Sequence, residues 1–228
     1  MSPAASYSRC GACAASAFTL NPDRAMDHIE QYKRKFDGEE INLLPLGSFE
    51  GEIRMVTDLR AAAAAIRSLG REKVLGFDTE TRPSFKKGKS YDPSLVQLAG
   101  SRRVYIFQLS RLPRFPRGLA GLLADPGIVK AGVSVRDDVL GLKRLHEFTD
   151  AGFTDLGDLA RKVDIPTHGL RNLAANLLGI RISKSARCTN WARPDLSGKQ
   201  VRYAATDAWV SRELYLAFSR LGLAPALD

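Results

Sequence analysis

The stretch "VLGFDTET", residues 74 to 81, predicts a central β-strand and raises a question about charge. Its first four residues are those of a buried strand, and Asp78 and Glu80 then follow two positions apart. Because successive side chains of a strand alternate between its two faces, these carboxylates point the same way. Adjacent carboxylates repel each other, and burial without a partner is costly for both. The stretch therefore predicts either a strand end that reaches solvent or a positively charged partner for the two acids.

Strand and helix patterns alternate on both sides of this stretch. We predict further strands at "EIRMVTD", "SLVQLAG", "VYIFQL" and "IVKAGVSV", with "SRR" as a hairpin turn between the second and third of these. Helices are predicted at "DLRAAAAAIRSLG", "GLAGLLAD", "DVLGLKRLHEF", "DLGDLARKV", "GLRNLAANLLGI" and the long C-terminal "SGKQVRYAATDAWVSRELYLAFSRLG". Strands interleaved with helices, including one hairpin, predict an α/β fold with a mixed β-sheet flanked by helices.

The length of 228 residues accommodates one sizeable α/β domain with an additional segment. We predict a disordered tail over residues 1–24, a peripheral lead-in over 25–50 and the functional domain over 51–222. No run of about 18 apolar residues occurs, so no membrane span is expected. The first residues lack the basic and apolar regions of a secretory signal, and we expect a cytoplasmic location.

The cysteines do not form a disulfide framework, since the chain has only Cys10, Cys13 and Cys188. Cys10 and Cys13 have the spacing of a metal or redox pair, but no second pair accompanies them, and zinc normally takes four ligands. We interpret all three as reduced thiols of an intracellular protein. A redox or zinc-binding role of the N-terminal segment is the weaker alternative.

The net charge of +9 is concentrated in one part of the chain. Residues 82–117 carry nine basic side chains and one acidic one. A dense basic region favours a polyanionic partner such as nucleic acid, which binds through phosphate contacts and counterion release. A solvated basic surface that aids solubility is an equally good explanation from charge alone.

Carboxylates recur at two later points. Asp137 and Asp138 stand where a predicted strand passes into a helix, in "KAGVSVRDD". Tyr203 and Asp207, in "YAATDAW", are four residues apart and so share one helix face. Each group alone has an ordinary explanation, such as first-turn acids favoured by the helix dipole or a surface acid beside a half-buried aromatic ring.

Together with the first pair, these acids favour two-metal hydrolysis of a phosphodiester. In that chemistry two divalent ions hold the attacking water and the leaving oxygen in line. Mg²⁺ prefers hard oxygen ligands and binds through a few carboxylates, water and substrate phosphate. Metal would be the positive partner that Asp78 and Glu80 require.

The three segments "GFDTET", "KAGVSVRDD" and "YAATDAW" resemble the exonuclease motifs of the DEDD superfamily of 3′–5′ exonucleases. The stretch "NWARPDLSGKQVRYAATDAW" is similar to the third-motif region of the branch that includes ribonuclease D and the Werner syndrome exonuclease domain. The resemblance covers roughly residues 50 to 220. It implies a ribonuclease H-like fold and a metal-dependent enzyme that releases nucleoside monophosphates from the 3′ end of DNA or RNA.

The resemblance also implies which residues perform the chemistry. Two Mg²⁺ or Mn²⁺ ions would be bound by the acids that match the motif positions, which are Asp78, Glu80, Asp138 and Asp207. Tyr203 takes the position that orients the attacking water, and Asp137 is the substitute should Asp138 not serve. The Tyr-x-x-x-Asp spacing implies the tyrosine subclass, because the histidine subclass would have His where Arg202 stands.

Basic residues before the third motif are candidates for contacts with substrate phosphates. They are Lys184, Arg187 and Arg193, and a solvated surface is an equally good explanation for them. The basic segment 82–117 is expected to lie beside the active cleft. We interpret Trp191 as an aromatic side chain that anchors a loop to the core, with base stacking as the weaker alternative. Gln97 is assigned a structural role.

A catalytically inactive nucleic-acid-binding module on the same fold is the alternative to an enzyme. A module released from catalysis tends to lose a ligand, and here the four acids and the tyrosine are all present. We therefore predict an active exonuclease. Its expected substrate has a single-stranded or frayed 3′ end, because the terminal phosphodiester must enter a narrow site. A protein partner for substrate targeting stays open.

Overall fold

The computed structural model describes residues 29–84, 88 and 90–225. At its centre is a six-stranded sheet with the order β1-β4-β3-β2-β5-β6. The strands are β1 (Glu52–Val56), β2 (Val74–Thr81), β3 (Pro93–Ala99), β4 (Arg103–Gln108), β5 (Val129–Gly132) and β6 (Phe153–Asp155). β3 is antiparallel to both of its neighbours, and the other pairs are parallel. The prediction of a mixed sheet is confirmed, and β6 is a strand that the sequence did not indicate.

Helices cover both faces of this sheet. They are α1 (Gly38–Leu43), α2 (Leu59–Leu69), α3 (Arg117–Leu123), α4 (Val135–Leu145), α5 (Leu156–Lys162), α6 (Leu170–Leu173) and α7 (Gly198–Arg220). α6 continues into a π-helical turn over Ala174–Leu178. Within the described residues, none of these helices is both long enough and apolar enough to cross a membrane.

Strand β2 separates the two halves of the core. Leu75 and Phe77 are buried in a cluster that also includes apolar side chains of α2, α3 and α4. Gly76, on the other face, lies directly under α7. A Cβ atom there would overlap the carbonyl oxygen of Ala208 and would lie 2.8 Å from the backbone nitrogen of Arg212. The absence of a side chain at Gly76 therefore lets α7 pack against the backbone of β2.

The carboxyl ends of β1, β2, β4 and β5 share one edge of the sheet, since these four strands run in the same direction. After β5 the chain turns at Ser134, whose φ of 60° lies in the left-handed region, and α4 begins at the next residue. The Asp155 carboxylate accepts hydrogen bonds from the backbone N–H groups of Val135, at 3.1 Å, and Gly157, at 2.8 Å. The end of β6 thus fixes the start of α4 at this edge.

The lead-in before β1 packs against the second half of the chain. The backbone N–H of Gly47 donates to the carbonyl of Arg181, and the N–H of Arg181 donates to the carbonyl of Pro45, at 2.8 and 3.0 Å. Phe49 is buried, and its N–H donates to the hydroxyl of Thr206 on α7 at 3.1 Å. The division into tail, lead-in and functional domain stays a prediction, and the predicted tail over 1–24 lies outside the described residues.

The contact at Gly76 gives a test of this packing. We expect Gly76→Ala to lower the free energy of unfolding by about 3 kcal/mol, the upper range for overpacking, because the added methyl meets backbone that cannot move aside. Thermal and denaturant unfolding measure the change. The control is Gly121→Ala on α3, where a Cβ meets nothing within 4 Å and should be neutral or stabilising. Equal stability of Gly76→Ala and the wild type would contradict the proposed close packing.

Candidate active site

Three carboxylates from two distant parts of the chain meet at the shared strand edge. One oxygen atom from each of Asp78, Glu80 and Asp207 lies within 4.8 Å of the others. The first two project from β2 towards α7, and Asp207 precedes the residue whose backbone touches Gly76. The strand alternation predicted that the first pair shares a face. The packing of α7 on β2 supplies the third acid.

The cluster is poorly stabilised in its fully charged form. Burial raises the pKa of Asp78 well above its usual range, and the charges of Asp207, Glu80 and Asp138 raise it further. Burial, with Asp207 and Asp138, raises the pKa of Glu80 to about 9, although Arg187 acts in the opposite direction. Burial also raises the pKa of Asp207 to about 7. Three converging carboxylates of this kind are a donor set of hard oxygens, which fits a divalent cation such as Mg²⁺ or Mn²⁺.

Tyr203 lies one helical turn before Asp207 on α7, and both side chains line the same cavity. Burial raises the pKa of the Tyr203 hydroxyl, and Asp207 and Glu80 raise it further, so the hydroxyl stays protonated beside the acids. Its ring packs near Trp191, with centroids 5.9 Å apart. Trp191 is completely buried, and its indole N–H donates to the carbonyl of Arg187 at 3.5 Å. The prediction that Trp191 anchors this loop is confirmed.

Asp138 lies beside the trio without being part of it. It stands in the first turn of α4 and accepts a hydrogen bond from the hydroxyl of Thr79, which projects from the opposite face of β2. Burial raises the pKa of Asp138 to about 6, and the Thr79 hydrogen bond opposes this. Its charge in turn raises the pKa of both Asp78 and Glu80. Asp137 is exposed, and the geometry favours Asp138 over this substitute.

A cavity of about 430 Å³ opens over the acids. Of the basic residues predicted to meet phosphates, Lys184 and Arg187 line it, and Arg193 does not. The Arg193 carbonyl instead accepts a hydrogen bond from the Gln108 amide at 2.8 Å, which ties the loop to β4. Two of the three basic side chains predicted to contact phosphate therefore line the same cavity as the carboxylates.

Other lining residues had no sequence signal that marked them. Arg171 and Asn172, at the start of α6, line the cavity, as does Ser183. The Arg171 guanidinium donates to the side-chain oxygen of Asn42 in the lead-in at 2.7 Å. The helical pattern around Arg171 predicted an element but contained no motif, so nothing in it indicated a functional surface.

Three of the nine basic residues of segment 82–117, Lys86, Lys87 and Lys89, lie outside the described residues, and the β3–β4 turn carries two of the others. Arg102 and Arg103 stand at the β3–β4 turn, at the opposite end from the pairing of Leu95 with Gln108 near the acids. Arg103 also forms an ion pair with Glu52 at 3.1 Å. The expectation that the segment lies beside the cleft is wrong for this turn, because the antiparallel hairpin carries it away from the site.

The cysteine hypothesis finds no support at the acidic site. Cys10 and Cys13 lie outside the described residues, and Cys188 is an exposed free thiol. Over residues 29–84, 88 and 90–225, the trio of acids is the group of His, Cys, Asp or Glu side chains arranged to hold a metal ion.

Comparison with known proteins identifies the class to which this site belongs. Residues 53–222 match the family model described as "3'-5' exonuclease". The chain belongs to this 3′–5′ exonuclease family, and the predicted enzyme class is confirmed. The family is metal-dependent, in agreement with the acidic cluster. The tyrosine subclass stays a prediction.

Individual relatives agree with this assignment. The mouse bifunctional 3′-5′ exonuclease/ATP-dependent helicase WRN is 36% identical over 154 residues, which are 65% of this chain and 11% of the relative. Ribonuclease D of Haemophilus influenzae is 28% identical over 183 residues, which are 79% of this chain and 45% of the relative. The chain thus spans less than half the length of either relative. The crystal structure of the Aedes aegypti Nibbler EXO domain has a TM-score of 0.69 at 24% identity, covering 77% of this chain and 92% of that one. This likeness confirms the predicted ribonuclease H-like fold.

The raised pKa values predict how stability depends on pH when no divalent cation is bound. A carboxyl whose pKa is raised by folding stabilises the fold below its unfolded pKa, and this contribution is lost as pH rises through its folded pKa. For Glu80 that window runs from its ordinary pKa of 4.5 to about 9. We expect the melting temperature in EDTA to fall across this window and to fall less in Glu80→Gln. Asp137→Asn, an exposed control, should follow the wild type, and a pH-independent melting temperature would contradict the prediction.

Proposed function

We propose that this chain is a metal-dependent 3′–5′ exonuclease that hydrolyses the terminal phosphodiester of DNA or RNA and releases nucleoside monophosphates. The observation that supports this most strongly is the trio of carboxylate oxygens within 4.8 Å of one another, on the wall of a cavity that Lys184 and Arg187 also line. Such a site offers ligands for cations and positive charge for phosphate in one place. The family membership gives the reaction class.

The proposed metal ligands are the trio and Asp138, and the proposed cofactors are two Mg²⁺ or Mn²⁺ ions. When bound, such ions lower the pKa of a coordinated water and neutralise charge on phosphate oxygens. The carboxylates contribute the negative charge that attracts the ions. The same charges repel one another when no cation is present, and this repulsion contributes to the raised pKa values of the acids in the metal-free protein.

Tyr203 is proposed to orient the attacking water. Its side chain lines the same cavity as Asp207, and burial with the nearby acids raises the pKa of its hydroxyl, so the group acts as a hydrogen-bond donor and not as a base. The buried ring of Trp191 limits where the tyrosine side chain can go. Tyr203 would therefore contribute through the position of its hydroxyl group and not through proton transfer.

The substrate strand is proposed to enter with an unpaired 3′ end. Asp207 is buried, Asp78 and Glu80 are half-buried, and the three face a cavity of about 430 Å³, which falls in the range of small-ligand pockets. A paired terminal nucleotide would have to separate from its partner before its phosphodiester reached the carboxylates. Lys184 and Arg187 would contact the phosphates of the entering strand.

Substitution of the acids tests the proposed chemistry. We expect Asp78→Asn and Asp207→Asn to reduce hydrolysis of a 5′-labelled single-stranded oligonucleotide to background while the protein stays folded, since each variant removes a ligand without changing shape. The wild type should shorten the strand stepwise from its 3′ end with Mn²⁺ or Mg²⁺ and be inactive in EDTA. Asp137→Asn, an adjacent exposed acid, is the matched control and should retain activity.

Two results would contradict this. Wild-type rates in Asp78→Asn and Asp207→Asn would remove these residues from the metal site. A folded wild type that binds the oligonucleotide but leaves it intact with either metal would favour the inactive nucleic-acid-binding module.

The positions of the basic side chains Lys184 and Arg187 give a second test. We expect Lys184→Ala or Arg187→Ala to raise KM about 10-fold, the loss of one charge-assisted hydrogen bond, and to reduce the salt dependence of binding by about one unit of slope. Steady-state kinetics at several salt concentrations measure both quantities. Arg193→Ala is the matched control, because Arg193 does not line the cavity. Equal effects at all three positions would point to a general electrostatic contribution.

A further inference from the structure

Gln97, in the centre of β3, is a polar side chain without a partner in the core. It is completely buried, and neither its amide nitrogen nor its amide oxygen has a hydrogen-bond partner among the described residues. Leaving a buried amide unpaired destabilises a fold, so an apolar residue would be the better choice on stability alone. The unpaired amide therefore requires an explanation beyond packing.

The register of the sheet places Gln97 beside the acidic trio. It is the antiparallel partner of Asp78 on β2 and of Ile106 on β4. Directly opposed residues of an antiparallel pair lie on the same face, with Cβ atoms about 5 Å apart. Around it on that face, Ile106 packs with Ala204 and Ala208 of α7. Among these neighbours, Asp78 is the one whose side chain can accept a hydrogen bond.

Gln108, in the same sheet, is a glutamine whose amide nitrogen has hydrogen-bond partners. It lies on the same face of β4, two residues after Ile106, and is also buried. Its amide nitrogen donates to the carbonyls of Arg193 and Pro194, at 2.8 and 2.9 Å. Gln108 thus holds a loop, whereas Gln97 contacts no such backbone acceptor.

We propose that Gln97 is a positioning residue for Asp78: its amide N–H groups donate to the Asp78 carboxylate when a divalent cation binds there. The inference rests on the proposed metal site. An ionised carboxylate accepts a stronger hydrogen bond than a neutral one, and a donor behind a ligand fixes its orientation. A neutral amide suits this position, because a lysine or arginine there would itself pair with Asp78 and oppose cation binding.

Gln97→Met tests the inference, since methionine keeps the length of the side chain and removes the amide. We expect Mn²⁺ affinity, measured by calorimetry, to fall about 10-fold, as is usual when a residue that supports a metal ligand is lost. The rise in melting temperature on adding Mn²⁺ should shrink accordingly. In EDTA the variant should be as stable as the wild type or more stable, because no hydrogen bond is lost.

Gln108→Met is the matched control. It removes two hydrogen bonds from a buried amide, so its melting temperature in EDTA should fall while its Mn²⁺ affinity stays at the wild-type value. Gln97→Met is therefore expected to lower only the Mn²⁺ affinity, and Gln108→Met is expected to lower only the metal-free stability.

The outcomes distinguish this inference from the proposed function. Wild-type Mn²⁺ affinity in Gln97→Met overturns the positioning role and leaves the exonuclease proposal intact. A folded wild type that binds no Mn²⁺ overturns the metal site and the inference together. Gln97→Leu is the second variant should methionine not fit, with the same expected loss of affinity. Failure of both to fold in EDTA overturns the inference, because the amide would then be needed for the fold itself.

Discussion

Backbone contact between β2 and α7 at Gly76 is the constraint on which the site depends. Because no Cβ separates the two elements, the helix lies against the strand at Ala208, and Asp207 comes within 4.8 Å of the strand carboxylates. A side chain at this point would push the helix outward, and the third acid would move with it. The same approach buries the cluster and raises the pKa of each acid in it. One steric requirement thus sets both the geometry and the electrostatics of the centre.

Bringing three carboxylates together destabilises the fold, and contacts elsewhere in the structure offset this. Around the trio, Trp191 fixes the loop that includes Arg187, the Asp155 carboxylate holds the start of α4, and the lead-in hydrogen-bonds to Arg181. None of these contacts touches a carboxylate of the trio. They hold the elements in place while the acids repel one another. These contacts keep the three carboxylates together when no cation is present, which is the usual advantage of a preorganised centre.

Local patterns predicted most of the elements because their signals are local. The alternation in "VLGFDTET" and the four-residue spacing of Tyr203 and Asp207 depend only on neighbours in the chain. Strand β6, with three residues, was too short to produce such a pattern. The position of the β3–β4 turn at the far end of the sheet was also missed, because charge composition contains no information about strand direction. Arg171 was missed as a cavity residue because its surroundings form no motif.

Residue types and their spacing in the chain were thus enough to predict an α/β fold and a set of acids that could bind a metal, since side-chain direction in a strand or helix follows from periodicity. The family was implied by the resemblance of three short motifs to a known superfamily. Which of these groups meet depended on contacts between residues far apart in the chain. The packing of α7 brings Asp207 to the strand acids. The start of α4 places Asp138 in contact with the Thr79 hydroxyl. The path of the loop places Lys184 in the cavity lining and leaves Arg193 outside it. Gln97 looks like an ordinary strand residue in sequence. Only the register opposite Asp78 reveals an unpaired amide next to a carboxylate, because pairing between strands brings together residues that no local pattern connects.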